Sequence, residues 1–212
     1  METTDKVTQF ANAARFLAAE VDGFIADYKD EKWINLGGDI SGFEFHLADI
    51  ESEVQKEVCD GRLLSFSLRE IAKKAMRGYI FIDGNDISAN ALANYMTDLY
   101  VRKNRDYGNS FDKSMDKFGL VVAAIRIGDK VNRLQSLVAK RGEAEVKDES
   151  LADTFLDLAC YSIMTMMWMR DKEKDIIYFP DDIEIVLTEQ PPKHNVSSEE
   201  IQQIKKDYGI QD

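Results

Sequence analysis

The sequence predicts a mainly α-helical bundle, built around a long antiparallel helix hairpin over residues 114–140 and 148–170. Apolar residues recur every three or four positions through most of the chain, which is the period of one helix face. Only 3 of the 212 residues are Pro and 12 are Gly, fewer than a many-stranded fold needs for its turns. β-branched and aromatic residues are concentrated only over 176–187, which predicts a small β or irregular appendage there.

Apolar stripes define the first two helices. A helix over 5–28 places its apolar residues at three- and four-residue spacings, and a second helix over 43–58 repeats the pattern. Gly37 and Gly38 lie between them. Two consecutive glycines favour a break in the chain.

A third helix follows from a capping pattern. Ser67 and Glu70 stand three residues apart, as in a capping box, so we expect this helix to begin at Ser67. Gly78 is expected to end it. The apolar run over 79–82 then predicts a short strand or a buried connection.

The remaining helices have clearer ends. A fourth helix over 87–106 should end at Gly108, because glycine is favoured just past a helix C-terminus. The long helix over 114–140 follows, and after a short polar link Asp148 or Ser150 should cap the next.

The helical pattern of apolar residues is lost in the C-terminal part of the chain. A linker follows the predicted strands, and Ser197 should open a short terminal helix. We therefore divide the chain into an N-terminal helical region over 1–86, a core over 87–172 and an appendage over 173–212.

Composition excludes several classes of protein. No stretch approaches the ~20 apolar residues of a membrane span, and residues 1–6 lead into no signal-peptide pattern. Cys59 and Cys160 do not indicate a disulfide framework, and two histidines exclude a His-rich metal site. We expect a cytoplasmic protein with reduced thiols.

The charge is uneven along the chain. The net charge is −12, yet residues 101–142 carry ten Lys or Arg against four Asp, a local +6. Either this basic island binds an anion such as phosphate, or it neutralises carboxylates of neighbouring helices. The acidity elsewhere disfavours duplex nucleic acid as a partner.

Charged side chains gather on facing sides of the predicted hairpin. The first helix carries Arg126, Asp129, Lys130 and Arg133 within about a third of a turn. The second carries a ladder of carboxylates at four-residue spacing, Glu149, Asp153 and Asp157. Like charges at that spacing repel each other, so we expect the cations to face them. In the expected register Asp157 lies level with Arg133. The group is either a salt-bridge network or a site that binds Mg²⁺ and phosphate.

Three motifs in this order resemble a known family. They are Lys-x-x-x-Tyr-Gly-x-Ser from Lys103, Arg-Ile-x-Asp-Lys-x-x-Arg from Arg126, and Glu-x-x-x-Asp-x-x-x-Asp-Leu from Glu149. Together they resemble the nucleotide modification associated domain, first type, a largely phage and bacterial family. The resemblance covers about residues 92–170 and implies a role in nucleotide or base modification, in the host cytoplasm if the chain is phage-encoded.

The last motif also resembles, more loosely, the all-α nucleotide pyrophosphohydrolases of the MazG and dimeric dUTPase types. That resemblance implies Mg²⁺ held by Glu149, Asp153 and Asp157, catalysis by Asp129, Asp153 and Asp157, and a homodimer. The Glu-Glu-x-x-Glu run of those enzymes is missing from the preceding helix here. Either fewer metal ions bind, or Asp49, Glu53 and Glu57 of the second helix substitute, or the chain does not carry out this hydrolysis.

The loop after the fourth helix has two interpretations. Tyr107 could stack on a base while Lys103, Asn109 and Ser110 meet phosphate or sugar. Arg126, Lys130 and Arg133 would bind the same ligand. Alternatively, Gly108 is only a helix cap and Tyr107 packs in the core.

These observations leave three functions open. The chain is a Mg²⁺-dependent enzyme acting on a deoxynucleotide, or a non-catalytic nucleotide sensor or sequestering module, or an acidic interaction protein such as a DNA mimic. The basic island over 101–142 favours the two nucleotide functions, since a mimic has no use for it.

Overall fold

The computed structural model describes residues 2–22, 32–83, 87–140 and 150–172. Within them the chain forms seven helices: α1 Glu2–Asp22, α2 Lys32–Glu53, α3 Gly61–Asp83, α4 Ala89–Tyr107, α5 Ser110–Phe118, α6 Val121–Ala139 and α7 Leu151–Lys172. The predicted mainly α-helical fold is confirmed. The predicted strands over 176–187 and the helix opening at Ser197 lie outside the described residues.

Helix α7 is the centre of the bundle. It packs against α3 and α6 and also meets α1 and α4. More than half of its residues are buried, including Phe155, Leu158, Ile163 and Met166. The other helices pack as pairs around it, α1 on α4 and α2 on α3 and α6. All seven belong to one compact unit, Met1–Phe179, and the finer division at 86 and 172 stays a prediction.

The hairpin is formed by α6 and α7, which pack antiparallel as predicted. Its register differs from the expected one by about a turn: Lys130 meets Asp157, and Arg133 meets Thr154. The single helix predicted over 114–140 is wrong. Gly119 adopts φ 70° and ψ −163° between α5 and α6, a left-handed conformation that glycine tolerates.

Two of the predicted helix starts and breaks are wrong. Gly37 and Gly38 lie inside α2. Ser67 lies inside α3 rather than at its start, and its hydroxyl donates to Asp49 Oδ2 at 2.9 Å. The start of α3 is capped instead by Asp60, whose Oδ1 accepts the backbone N–H groups of the next turn at 2.9 and 3.2 Å.

Gly78 does not end α3, and residues 79–82 continue it as helix. The glycine serves a packing contact. A Cβ at Gly78 would lie 2.4 Å from Cε1 of the Phe155 ring, and that ring is fully buried. Gly78 therefore lets α3 approach the central helix α7 directly.

The Met-rich segment of α7 is core rather than surface. Met166, Met167 and Met169 are all buried within the single chain. The homodimer stays a prediction, tested by light scattering. No described helix has the length and apolarity needed to cross a membrane.

The Gly78 contact predicts that Gly78→Ala destabilises the fold, by about 1–3 kcal/mol, because overpacking a core forces the ring or helix to move. The matched control is Gly37→Ala. A Cβ there meets nothing within 4 Å, so the better helix propensity of Ala should stabilise the protein by up to about 1 kcal/mol. Urea unfolding of both variants measures this. Equal effects of the two substitutions would contradict the packing account.

Candidate functional site

The most concentrated polar contact among the predicted site residues is centred on Asp157 of α7. Lys103, near the end of α4, places its Nζ 2.6 Å from Asp157 Oδ1. Lys130 of α6 places its Nζ 3.1 Å from Asp157 Oδ2. We call Lys103, Lys130 and Asp157 the Asp157 cluster. Two ammonium groups from different helices thus meet one carboxylate, which satisfies both of its oxygens.

The Asp157 cluster lies at the edge of the core. The side chains of Lys130 and Asp157 are 18% and 19% exposed, and that of Lys103 is 47% exposed. Burial alone would lower the pKa of Lys103, but its hydrogen bond to Asp157 and the nearby negative charge together raise that pKa above its ordinary value of 10.5. The Lys103 ammonium therefore stays charged at the surface of the site.

Arg133 extends the row of cations by one turn. Its Nε donates to Thr154 Oγ1 at 3.2 Å, and the Thr154 hydroxyl in turn donates to the Ser150 carbonyl at 2.9 Å. Arg133 is half-buried on α6. Three cations from two helices therefore lie along one side of α7.

Asp153 is not part of the cluster. Its Oδ2 accepts the Ser150 N–H at 3.0 Å, and its own N–H donates to Ser150 Oγ at 3.0 Å. This reciprocal pair is a capping box with Asp at the fourth position, and it confirms Ser150 as the cap. We predicted that Asp153 faces the cations of α6 between Arg126 and Arg133. This prediction is wrong, because Asp153 is exposed and caps the start of α7.

Arg126 and Asp129 also lie away from Asp157, both exposed on α6. Successive helix residues are about 100° apart, so Asp129 and Lys130 face different neighbours. Asp129 lines a surface groove of about 380 Å³ between α2 and α6, over Gly128. The predicted charged stripe is thus divided between the α7 contact and the solvent.

The loop from Tyr107 to Ser110 is a double left-handed turn. Gly108 and Asn109 have φ 58° and 55°, and the Gly108 N–H reaches the Asn104 carbonyl, which confirms the predicted cap. Asn109 tolerates this conformation because its short polar side chain bonds locally, here to Asp112 Oδ2 at 3.2 Å. Tyr107 is 69% exposed, so the interpretation that it packs in the core is wrong. Ser110 is exposed at the start of α5.

The described carboxylates do not fit a Mg²⁺ site as they stand. Glu149 lies outside the described residues. Among the residues that are described, no three Asp, Glu, His or Cys side chains come together as a metal site would require. Of the alternative carboxylates, Asp49 binds Ser67, and Glu53 binds Lys56 and the Asp60 N–H. Mg²⁺ binding stays a prediction.

The chemistry that the Asp157 cluster supports is anion binding. An ammonium group has three N–H donors, and its bond to Asp157 uses one of them. The buried thiol beside the cluster adds no reactive group, since burial and the Asp157 charge raise the pKa of Cys160 to about 12. The cluster therefore offers positive charge and hydrogen-bond donors.

One protein family matches part of the chain. Residues 103–169 match the family model of nucleotide modification associated domain 1. The matched segment begins at Lys103 and contains both other members of the Asp157 cluster. No curated protein and no solved structure matches the chain, and the looser resemblance to pyrophosphohydrolases finds no support in these comparisons.

Sequence reasoning missed two parts of the site within this domain. It assigned Lys103 to phosphate or sugar alone, whereas Lys103 is a direct partner of Asp157. It also overlooked Thr154, the partner of Arg133. Thr154 follows Asp153 directly but is not part of the four-residue carboxylate spacing, although its hydroxyl faces α6.

The cluster predicts that Asp157→Asn lowers the free energy of unfolding at neutral pH by about 1–2 kcal/mol, between the values for exposed and buried ion pairs. The control is Asp129→Asn, which removes an exposed carboxylate of the same domain and should change stability by less than about 0.5 kcal/mol. Urea unfolding compares the two. Equal stability of both variants would mean that Asp157 does not hold the lysines.

The raised pKa of Lys103 predicts how that difference depends on pH. A raised folded-state pKa stabilises the fold below the unfolded value of 10.5, and this stabilisation is lost as pH rises through the folded pKa. The gap in unfolding free energy between wild type and Asp157→Asn should persist to about pH 10 and shrink above it. A gap that stays constant through that range would contradict the contribution of Lys103.

Proposed function

We propose that the chain binds a (deoxy)nucleotide in a nucleotide- or base-modification pathway, with a phosphate group held at the Asp157 cluster. One observation carries the proposal. Two lysines from separate helices converge on one carboxylate inside the domain whose family name links it to nucleotide modification. The family name supports a general role in nucleotide modification. The Asp157 cluster supports recognition of the phosphate group.

Phosphate suits the charge of the site. Lys103, Lys130 and Arg133 bring three cationic side chains to one side of α7. Arg and Lys donors to phosphate oxygens form strong, charge-assisted hydrogen bonds. In this proposal Asp157 is a positioning residue, because it holds both ammonium groups at the same point without touching the ligand.

The rim of the site is suited to the rest of a nucleotide. Tyr107 is exposed four residues after Lys103, on a turn fixed by Gly108 and Asn109. A solvent-facing aromatic ring is a stacking surface for a base. We propose that Tyr107 stacks on the base and that Ser110 hydrogen-bonds to sugar or phosphate.

Catalysis is a separate question from binding. The roles proposed for Asp129, Asp153 and Asp157 as catalytic groups, and for Mg²⁺, require carboxylates that the described residues do not bring together. The chain's own residues supply binding and orientation. A sensor or sequestering module needs no more than this, so turnover is measured separately.

The proposal predicts that deoxynucleotides stabilise the wild type, by ~2.7 kcal/mol at a hundredfold excess over the dissociation constant. Lys130→Gln and Lys103→Gln should each weaken binding by about tenfold, or ~1.4 kcal/mol. Lys113→Gln is the matched control, since Lys113 belongs to the same basic island but is exposed and outside the cluster. Thermal unfolding with mono-, di- and triphosphates, each with and without Mg²⁺, measures the effect.

Two results would overturn the proposal. One is a wild type that no nucleotide stabilises at millimolar concentration. The other is stabilisation that all three Lys variants retain equally. Chromatography of the ligand after incubation then separates an enzyme, which changes it, from a binding module, which returns it intact.

A further inference from the structure

A cavity between four helices is a second candidate site. A cavity of about 690 Å³ opens between α1, α4, α5 and α7. Its volume is within the range of roughly 300–1,000 Å³ that is usual for small-molecule sites. None of the residues of the Asp157 cluster lines it. Trp168, which does, follows Asp157 by eleven residues, or about 16 Å along α7.

The cavity is polar but carries no excess charge. Three cations and three carboxylates line it: Lys6, Arg105, Lys172, Asp112, Asp116 and Asp171. Lys6 lies 3.3 Å from Asp112 and also pairs with Asp171, and Lys172 lies 2.9 Å from Asp116. A lining that balances its own charges favours a neutral ligand that both donates and accepts hydrogen bonds. The Asp157 cluster, in contrast, is proposed to bind an anion.

Trp168 gives the cavity a fixed aromatic wall. Its indole N–H donates to Asp116 Oδ1 at 2.9 Å, which holds the ring in one orientation. The Lys172 ammonium lies over the ring face, 5.3 Å from the centroid. The Lys172 side chain is 52% exposed, so it covers the ring from the solvent side and a flat ligand could displace it.

Side-chain amides line the same cavity. Asn104 and Asn109 both contribute to its wall, and each amide offers a donor and an acceptor close together. A nucleobase edge presents the complementary pair, which is why Asn and Gln recognise bases by two hydrogen bonds. Asn109 is held in place by its left-handed backbone and its bond to Asp112.

We infer that this cavity binds a nucleobase or nucleoside, stacked on Trp168 and hydrogen-bonded by Asn104 and Asn109. The choice of a base over another neutral aromatic ligand rests on the proposed function. The aromatic wall, the amides and the balanced charge stand independently of it. This nucleobase or nucleoside is a second ligand, separate from the nucleotide whose phosphate the Asp157 cluster holds.

Trp168 is itself the reporter for the experiment. The chain contains two tryptophans, Trp33 and Trp168, so Trp33→Phe leaves the fluorescence of Trp168 alone. Titration with free nucleosides, corrected against N-acetyltryptophanamide, should quench that fluorescence and saturate. If Trp33→Phe does not fold, indole N–H signals in NMR spectra of the wild type, assigned with Trp168→Phe, give the same information.

Variants distinguish a binding site from a merely structural contact. Asn104→Ala should weaken nucleoside binding by at least tenfold. Lys172→Ala should strengthen it severalfold, because it uncovers the ring face. Lys130→Gln, in the other site, should leave nucleoside binding unchanged.

The outcomes separate this inference from the proposed function. If no nucleoside shifts the Trp168 signal at millimolar concentration, the cavity is not a base site, even where nucleotides still bind through Lys130. A response to diamines in place of nucleosides would make it a cation site and overturn the inference. Nucleoside binding without any phosphate-dependent stabilisation would instead support the cavity and contradict the phosphate site.

Discussion

The burial of α7 constrains the rest of the structure. Because most of this helix is buried, a polar side chain that it places inside the bundle needs a partner. Ser162 and Thr165 donate back to carbonyls one turn earlier in their own helix, at 2.9 and 2.7 Å. Asp157 and Trp168 cannot do this, and they take partners from α4, α5 and α6 instead. Both candidate sites arise where α7 needs a polar partner from another helix.

The same constraint explains why positive charge gathers at one point. Two ammonium groups held close together repel each other, and the Asp157 carboxylate between them offsets that repulsion. Each oxygen of the carboxylate contacts one of the two lysines. In the proposed function, an incoming phosphate meets cationic side chains that this structural ion pair already holds in place.

Local signals in the sequence were sufficient for several elements and misleading for others. The period of apolar residues located most of the helices, and Gly108 marked the end of α4, because both effects act within a few residues. Gly78 was misread because its reason is the Phe155 ring, distant in sequence. Gly119 was missed because the apolar stripes on either side continue across it.

The site was predicted in outline for a similar reason. Asp153 and Asp157 look alike in a four-residue ladder, but Asp153 bonds to a residue three positions away and Asp157 to lysines on two other helices. Sequence spacing shows that residues share a helix face. It does not show which helix covers that face, and Lys103 comes from a helix that spacing within the hairpin could not identify. The cavity beside Trp168 depends on α1 as well and could not be anticipated from the family motifs.

The most direct test of the central claim is a crystal structure of the chain with a bound deoxynucleotide. The account predicts phosphate oxygens at hydrogen-bonding distance, about 3 Å, from the Nζ atoms of both Lys103 and Lys130, with Asp157 still joining the two lysines. A phosphate bound elsewhere, with both lysines unchanged on Asp157 and out of its reach, would contradict it.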